Sequence, residues 1–165
     1  MINIVCTSKP GDGLLCYSYE HCCYLNSIGI KAQVVIITHY NFSKKHYIDA
    51  ITEKYKTCSN IVFDFYTPES DDITFILGRS MLTLLYKDKD YYTTDQLMTG
   101  HLLFNNKLIA IYSENHVREY PMALEYFKPK QVYDMCDYDV YPNGVGVYYE
   151  KMINFEEYKP VKNDV

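Results

Sequence analysis

The sequence contains no tryptophan, and its basic residues are in the minority. It has 16 Lys and Arg against 21 Asp and Glu, which gives a formal net charge of −5. A domain that binds nucleic acid over a broad face needs Lys and Arg for phosphate contacts, so this class of protein is disfavoured, while a local basic patch or a basic partner stays open. The many tyrosines offer stacking surfaces, but half-buried positions in the sheet and helices explain them as well.

Membrane and secretion signals are also missing. The apolar runs are shorter than the roughly 18–20 residues needed to cross a bilayer. Residues 1–5 have neither the basic start nor the apolar stretch of a signal peptide. We therefore expect a cytoplasmic protein that has no membrane contact.

Motifs for metals and tightly bound cofactors are absent. None of the six cysteines forms a C-x-x-C pair, and no His or Cys falls at the spacing of zinc ligands. The sequence predicts no metal site, and we expect the cysteines to be buried thiols in a reducing compartment. It also lacks a P-loop, a G-x-S-x-G nucleophile elbow and a G-x-G-x-x-G fingerprint, so no tightly bound cofactor is expected.

The clearest positive signal is an alternation of strand-like and helix-like segments. With 165 residues, of which 48% are hydrophobic, the chain has the size and composition of one domain with a full core. Short apolar runs typical of buried strands occupy residues 2–6, 32–38, 61–66, 72–77, 107–112, 131–135 and 139–141. Helical periodicity covers residues 14–28, 43–55, 81–86 and about 116–127, with Ser43 as an N-cap and Gly29 as a left-handed cap.

This alternation predicts the fold class. Strands that alternate with helices of 10–15 residues imply a Rossmann-like, three-layer αβα domain with a mostly parallel sheet of six to seven strands. The predicted domain covers residues 1–150. The charged tail, residues 151–165, is predicted to be a strap or linker that leaves the sheet.

Ligands of open parallel sheets bind beyond the carboxyl ends of the strands, so the loops there supply the candidate site residues. After the first strand, Gly11, Asp12 and Gly13 allow backbone N–H groups to approach a ligand at a helix N-terminus, although a plain glycine turn explains them too. The second strand ends at His39 rather than at the acid of dinucleotide-binding proteins, so a nicotinamide dehydrogenase is disfavoured. After the fourth strand, Arg79 and Ser80 are candidates for binding a phosphate or a sugar hydroxyl, with a solvated helix cap as the alternative.

A polar cluster follows the strand at residues 107–112. Glu114, Asn115 and His116, with Arg118, supply a carboxylate, an amide and an imidazole that together could bind hydroxyls and move a proton. Helix capping by Ser113 or Asn115 is the alternative explanation.

The end of the chain carries a family resemblance. The sequence Tyr-Pro-Asn-Gly-Val at 141–145, followed by Phe155 and by Pro160, resembles the P-N-G-V…F…P signature that ends the N-terminal domain of many GT-B glycosyltransferases. The opening strand, the glycine loop and the Q-V-V-I-I strand at 33–37 are similar too. The T-even-type phage DNA α-glucosyltransferases look closest, since they carry a histidine that matches His116. They have His-Asp-His where this chain has Glu114-Asn115-His116.

The resemblance implies a function and a partner. GT-B enzymes bind the sugar nucleotide mainly in a second Rossmann domain, which lies beyond this sequence. We therefore expect the acceptor-side subunit of a split glycosyltransferase, with a sugar nucleotide as co-substrate, a donor-binding subunit as partner and hydroxymethylcytosine in phage DNA as the acceptor, acting in the host cytoplasm. In this interpretation Glu114 and His116 are catalytic, Gly11 to Gly13 face the donor phosphates, and Asn143 belongs to the substrate-binding set.

Two other functions stay open at this point. A non-catalytic binding or regulatory module on the same scaffold is favoured by the acidic charge and by Asn115, which stands in place of the family's aspartate. A stand-alone flavodoxin-like or nucleotide-binding protein is weaker because no phosphate loop is convincing. The tail residues Phe155 and Tyr158 are expected to anchor a partner, or alternatively to pack on their own domain.

Overall fold

In the part of the chain that the structure describes, the core is a seven-stranded sheet in the order β3-β2-β1-β4-β5-β6-β7, in which every neighbouring pair is parallel. The computed structural model describes residues 1–85, 89–105, 107–112, 120–134, 146–148 and 157–159. The strands are β1 (Ile2–Cys6), β2 (Ala32–Ile36), β3 (Ile61–Phe63), β4 (Ile73–Leu77), β5 (Lys107–Tyr112), β6 (Gln131–Asp134) and β7 (Gly146–Tyr148). The predicted parallel α/β architecture is confirmed.

Helices cover both faces of this sheet. They are α1 (Gly13–Ser27), α2 (Lys44–Lys54), α3 (Gly78–Leu85), α4 (Thr94–Phe104) and α5 (Tyr120–Phe127). Successive β1 residues serve opposite cores: Ile4 and Cys6 pack with α1 and α2, whereas Val5 packs with α3, α4 and α5. This alternation is what a strand buried on both faces requires, and it produces the three-layer αβα arrangement.

Local backbone geometry explains several element boundaries. Gly29 has φ +85° just after α1, as predicted for a left-handed cap, and its N–H donates to Asn26 O at 3.1 Å. Ser43 is the N-cap of α2, where its N–H donates to His46 Nδ1 at 2.9 Å. β3 ends earlier than the predicted run to residue 66 because Asp64 has φ +64°, which takes the chain out of the extended conformation.

Two elements differ from the sequence prediction. Helix α4 was not predicted, and its Gly100 lets the helix approach Leu84 of α3 so closely that an added Cβ would lie 2.7 Å from a Leu84 methyl carbon. The predicted seventh strand at 139–141 lies outside the described residues, and the observed seventh strand is β7. Within the described segments, no helix has both the length and the apolar character that a bilayer crossing demands.

The described part of the tail returns to the domain. Residues 157–159 lie along the end of α2, with Tyr158 bridged antiparallel to Tyr55 and Lys159 N–H donating to Lys54 O at 2.9 Å. The rings of Tyr55 and Tyr158 are 5.1 Å apart, and both hydroxyls donate to the buried carboxylate of Glu20. Tyr158 therefore packs on its own domain, which is the alternative to the partner contact expected for it. Phe155 lies outside the described residues.

Candidate functional site at the carboxyl edge of the sheet

The candidate site lies where the strand order reverses. From β1 the chain passes through α1 to β2 on one side, while β4, the other neighbour of β1, leads to β5 on the opposite side. Such a switch point leaves a crevice beyond the strand ends, because the two connections diverge. The crevice floor is closed by Thr7, whose N–H donates to Ser80 Oγ at 3.0 Å.

The glycine loop after β1 forms one side of the crevice. Asp12 is the N-cap residue of α1, its N–H donates to Lys9 O at 3.0 Å, and Asp12 Oδ2 accepts the Lys9 N–H at 3.3 Å. A Cβ added to Gly11 or to Gly13 would have no heavy atom within 4 Å. Neither glycine is therefore demanded by packing, and the space beside both is open.

A cavity of about 250 Å³ occupies this position. It is smaller than the roughly 300–1,000 Å³ of pockets for drug-sized ligands, so it suits a single ring or sugar. Its lining combines hydroxyls, one cation, one carboxylate and aromatic rings: Thr7, Ser8, Thr83, Lys9, Asp12, His39, Tyr91 and Tyr92, with Leu14. Hydroxyls, a carboxylate and ring faces are groups that recognise a hydroxylated ring rather than a purely apolar one.

The imidazole of His39 is held rigidly in this lining. It is only 3% exposed and stacks on Tyr91 at 4.3 Å between centroids, with Tyr92 and Phe42 edge-on at 5.8 and 5.5 Å. Its Nδ1 accepts the Asn41 N–H at 3.2 Å. An accepting Nδ1 places the proton of the neutral ring on Nε2, which fixes the tautomer.

Tyr47 of α2 connects the loops after β1 and β2. Its hydroxyl donates to Ser8 O at 2.7 Å and accepts the His39 N–H at 2.9 Å. Burial raises the pKa of Tyr47 to about 12, against the opposing effect of the His39 N–H. The phenol therefore stays protonated at neutral pH and remains a donor that ties the two loops together.

A second connection, which the sequence did not suggest, holds the loop after β2 from the other side. Asp64 Oδ1 accepts from Thr38 N–H at 2.9 Å, from the Thr38 hydroxyl at 2.7 Å and from Gln96 Nε2 at 2.8 Å. Gln96 belongs to the first turn of α4 and also forms a capping box with Thr93. The Thr93-x-x-Gln96 spacing is typical of a helix start, so the sequence contains a signal for the capping box but none for the contact with Asp64.

The structure brings together only some of the predicted site residues. Asp12 and His39 line the cavity, and Gly11 and Gly13 lie in the adjoining loop. Ser80 is fully buried and bonded to Thr7, so it shapes the floor. Arg79 lies in the first turn of α3, but its side chain is outside the described part. Outside the described residues lie the remaining candidates: Glu114, Asn115, His116, Arg118 and Asn143. Among the lining residues that were not predicted, Tyr91 and Tyr92 precede the helix that was not predicted either.

The described part of the chain contains free thiols, and one of them, Cys6, lies beside this site. In the described portion of the chain, no group of three His, Cys, Asp or Glu could hold a metal ion, and the five cysteines there are free. Cys6 lies close by, with Sγ 3.2 Å from Ser8 Oγ, and burial raises its pKa to about 11. A thiol that stays protonated at neutral pH is a poor nucleophile, so Cys6 is structural.

Comparison with protein-family models, with curated proteins and with solved structures found no match to this chain.

Proposed function

We propose that this chain is the acceptor-side subunit of a two-chain GT-B glycosyltransferase, which transfers a sugar from a sugar nucleotide held by a partner subunit. The acceptor we would test first is hydroxymethylcytosine in phage DNA, in the host cytoplasm. The observation that carries the proposal is the cavity at the switch point between β1 and β4, with its hydroxyl, carboxylate and imidazole lining. The sequence resemblance in the glycine loop and at residues 141–145 supports it.

The charges that line the cavity indicate where the acceptor and the donor phosphates would bind. The carboxylate of Asp12 stands at the start of α1, where a phosphate would otherwise gain from the helix dipole. A carboxylate there repels a diphosphate and accepts hydrogen bonds from hydroxyls. We therefore assign the space beside Asp12 to the acceptor or to the transferred sugar, and propose that the donor phosphates contact Gly11 and Lys9.

The catalytic roles are proposed for residues after β5. Strand β5 is two positions from β1 in the sheet, so its end is on the order of 10 Å from the end of β1. Glu114 and His116 follow β5 directly in the sequence. In this proposal they bind or deprotonate the acceptor hydroxyl, while catalysis comes mainly from positioning and from stabilisation of the leaving diphosphate.

The decisive experiment is to purify the native complex, reconstitute the two chains and assay sugar transfer to hydroxymethylated DNA. Replacing Glu114 or His116 with Ala is expected to lower turnover by about 10²–10⁴-fold, because a positioned acid–base group is lost. Asn115→Asp restores the carboxylate of the resembling phage enzymes and is expected to be tolerated, and Arg79→Ala is expected to be milder. Circular dichroism checks folding. Full transfer rates in both Glu114→Ala and His116→Ala would show that the partner does the chemistry.

The second candidate is a non-catalytic binding or regulatory subunit on the same scaffold. It is favoured by Asn115, which lacks the proton-accepting carboxylate of the resembling enzymes, and by the net charge of −5. The transfer assay separates the two functions. If the purified partner transfers sugar alone at the rate of the complex, this chain is a binding module. If transfer requires this chain and falls in the Glu114→Ala or His116→Ala variant, this chain is the acceptor half.

A further inference from the structure

We propose that Tyr40 and Tyr91 form a stacking platform for a nucleobase of the acceptor strand, at the mouth of the cavity. The inference rests on the proposed function and deepens it: it names the side chains that hold the acceptor. The platform is defined by these two tyrosines, with the imidazole of His39 packed against both.

The three rings lie nearly parallel to one another. Tyr91 and His39 are 4.3 Å apart with an interplanar angle of 25°, Tyr40 and His39 are 6.0 Å apart at 20°, and Tyr40 and Tyr91 are 6.2 Å apart at 23°. Aromatic pairs in protein interiors are often edge-on, as Tyr92 is to His39 at 81°. The shared orientation gives one direction in which a further flat ring can stack.

Exposure distinguishes the two tyrosines from the rings around them. Tyr40 is 67% and Tyr91 42% exposed, whereas Tyr92 and His39 are buried. Tyr91 also belongs to the lining of the cavity, which includes the hydroxyls and the Asp12 carboxylate. A base bearing a hydroxyl substituent would thus meet both the apolar surface and the polar groups that the acceptor chemistry needs.

The platform is held in place before any ligand binds. Tyr40 N–H donates to Tyr91 O at 2.8 Å, which joins the loop after β2 to the loop before α4. Gln96 of α4 donates to Thr38 O at 3.1 Å, which adds a second link to the loop after β2, and to Asp64 Oδ1 at 2.8 Å, which connects α4 to the residue after β3. Rings that need not be reordered lose little conformational entropy on binding, so their stacking energy goes into affinity.

The charge of the chain explains why stacking would carry this contact. The net charge of −5 disfavours a broad face of phosphate contacts. Stacking on an aromatic side chain is nearly independent of charge and contributes to the binding of single-stranded nucleic acid one base at a time. We therefore expect an unpaired base to be recognised, with weak salt dependence.

The test measures binding of a short single-stranded oligodeoxycytidylate, with and without 5-hydroxymethyl groups, to the whole chain by fluorescence anisotropy. Tyr91→Leu and Tyr40→Leu are each expected to weaken binding by about 5- to 150-fold, the range for loss of one base–aromatic stack. Tyr91→Phe keeps the ring and is expected to bind normally. Tyr126→Leu, an equally apolar change at an exposed tyrosine of α5, is the matched control and is expected to have no effect.

The outcomes separate this inference from the proposed function. Free cytidine nucleotides are the second probe. Binding of the oligonucleotide and of the nucleotide that depends on Tyr91 supports the platform. The relative affinity of the two probes then shows whether the ligand is a strand or a free nucleotide. Binding of neither probe, or equal binding by all variants, overturns the platform. If the complex transfers sugar and the Tyr40 and Tyr91 variants transfer equally well, the platform fails while the function stands. Tyr91-dependent binding without transfer by any complex leaves the platform and removes the function.

Discussion

Gln96 Nε2 lies 2.8 Å from Asp64 Oδ1 and donates a hydrogen bond that joins the first turn of α4 to the residue after β3. The same amide nitrogen lies 3.1 Å from Thr38 O, and Gln96 Oε1 accepts the Thr93 N–H at 2.8 Å. One side chain therefore caps α4 and fixes the loop that presents His39.

Because the Gln96 side chain is buried, we expect Gln96→Ala to lower the free energy of unfolding. The substitution removes a helix-cap contact and leaves Asp64 and Thr38 without a donor that they use in the folded chain. We expect a loss of about 2 kcal/mol or more in the free energy of unfolding, measured by urea denaturation. Thr94→Ala, one exposed substitution at the start of the same helix, is the control and should change stability by less than about 0.5 kcal/mol. Equal losses in the two variants would mean that the hydrogen bonds of Gln96 to Asp64 and Thr38 do not account for the loss.

The sequence predicted the sheet well because its strands are buried on both faces. Continuous apolar runs such as those of β1 and β5 can be recognised without any knowledge of their neighbours. Helix α4 was not predicted because Gly100 and two threonines lower its helix propensity. In the folded chain, packing against Leu84 stabilises the helix despite this low propensity. The Thr93-x-x-Gln96 capping box was its one local signal.

The sequence pointed to only some of the residues that line the cavity, because local patterns reveal strand ends but not contacts between distant segments. The rule that ligands bind beyond strand carboxyl ends directed attention to the loops that hold Asp12 and His39, and the structure places both residues in the lining of one cavity. It could not place Tyr91, which reaches His39 only because α4 folds back onto the loop after β2. Contacts between segments some fifty positions apart leave no trace in local periodicity.

The buried thiols should make the folded chain less stable in alkali. Burial raises the pKa of Cys6 to about 11 and that of Cys22 to about 12, so the unfolded chain loses these protons first. The stabilisation is present below about pH 8.5 and is lost as the pH rises toward the folded values. At pH 10 we expect each thiol to account for about 1–2 kcal/mol of lost stability.

Urea denaturation in reductant between pH 8 and pH 10 measures this slope. Cys22→Ala lowers stability at every pH because it removes buried volume, but its slope with pH should be smaller than that of the unmodified chain. A slope unchanged by this variant would assign the alkaline loss to other groups.

Tyr158 should act on the stability of the domain rather than on a partner. Its ring packs 5.1 Å from that of Tyr55, and its hydroxyl donates to the carboxylate of Glu20; burial and that carboxylate raise the pKa of Tyr158, so the phenol stays a donor. We expect Tyr158→Ala to cost about 1–3 kcal/mol, and Tyr158→Phe less, since the ring contact remains. Thermal unfolding measures both, with Tyr126→Ala as the exposed control. If Tyr158→Ala lowers the affinity for the partner, measured on the folded fraction, Tyr158 contacts the partner after all.

Alanine substitutions at Gly11, Gly13 and Gly29 can distinguish a structural turn from a ligand-binding loop. An added Cβ at Gly11 or Gly13 meets open space, so alanine at either position should leave the fold intact, and at Gly13 in α1 it should add up to about 0.5–1 kcal/mol of stability. Gly29, at φ +85°, is the contrast: its replacement by alanine should cost about 1–2 kcal/mol whatever the ligand. If the open space admits a substrate, Gly11→Ala and Gly13→Ala should lower sugar transfer by the reconstituted complex at undiminished stability, while Gly29→Ala lowers stability and leaves transfer by the folded fraction unchanged. Full transfer in Gly11→Ala and Gly13→Ala would identify the loop as a turn alone, and the substrate would then have to lie over His39 and the strand ends beyond it.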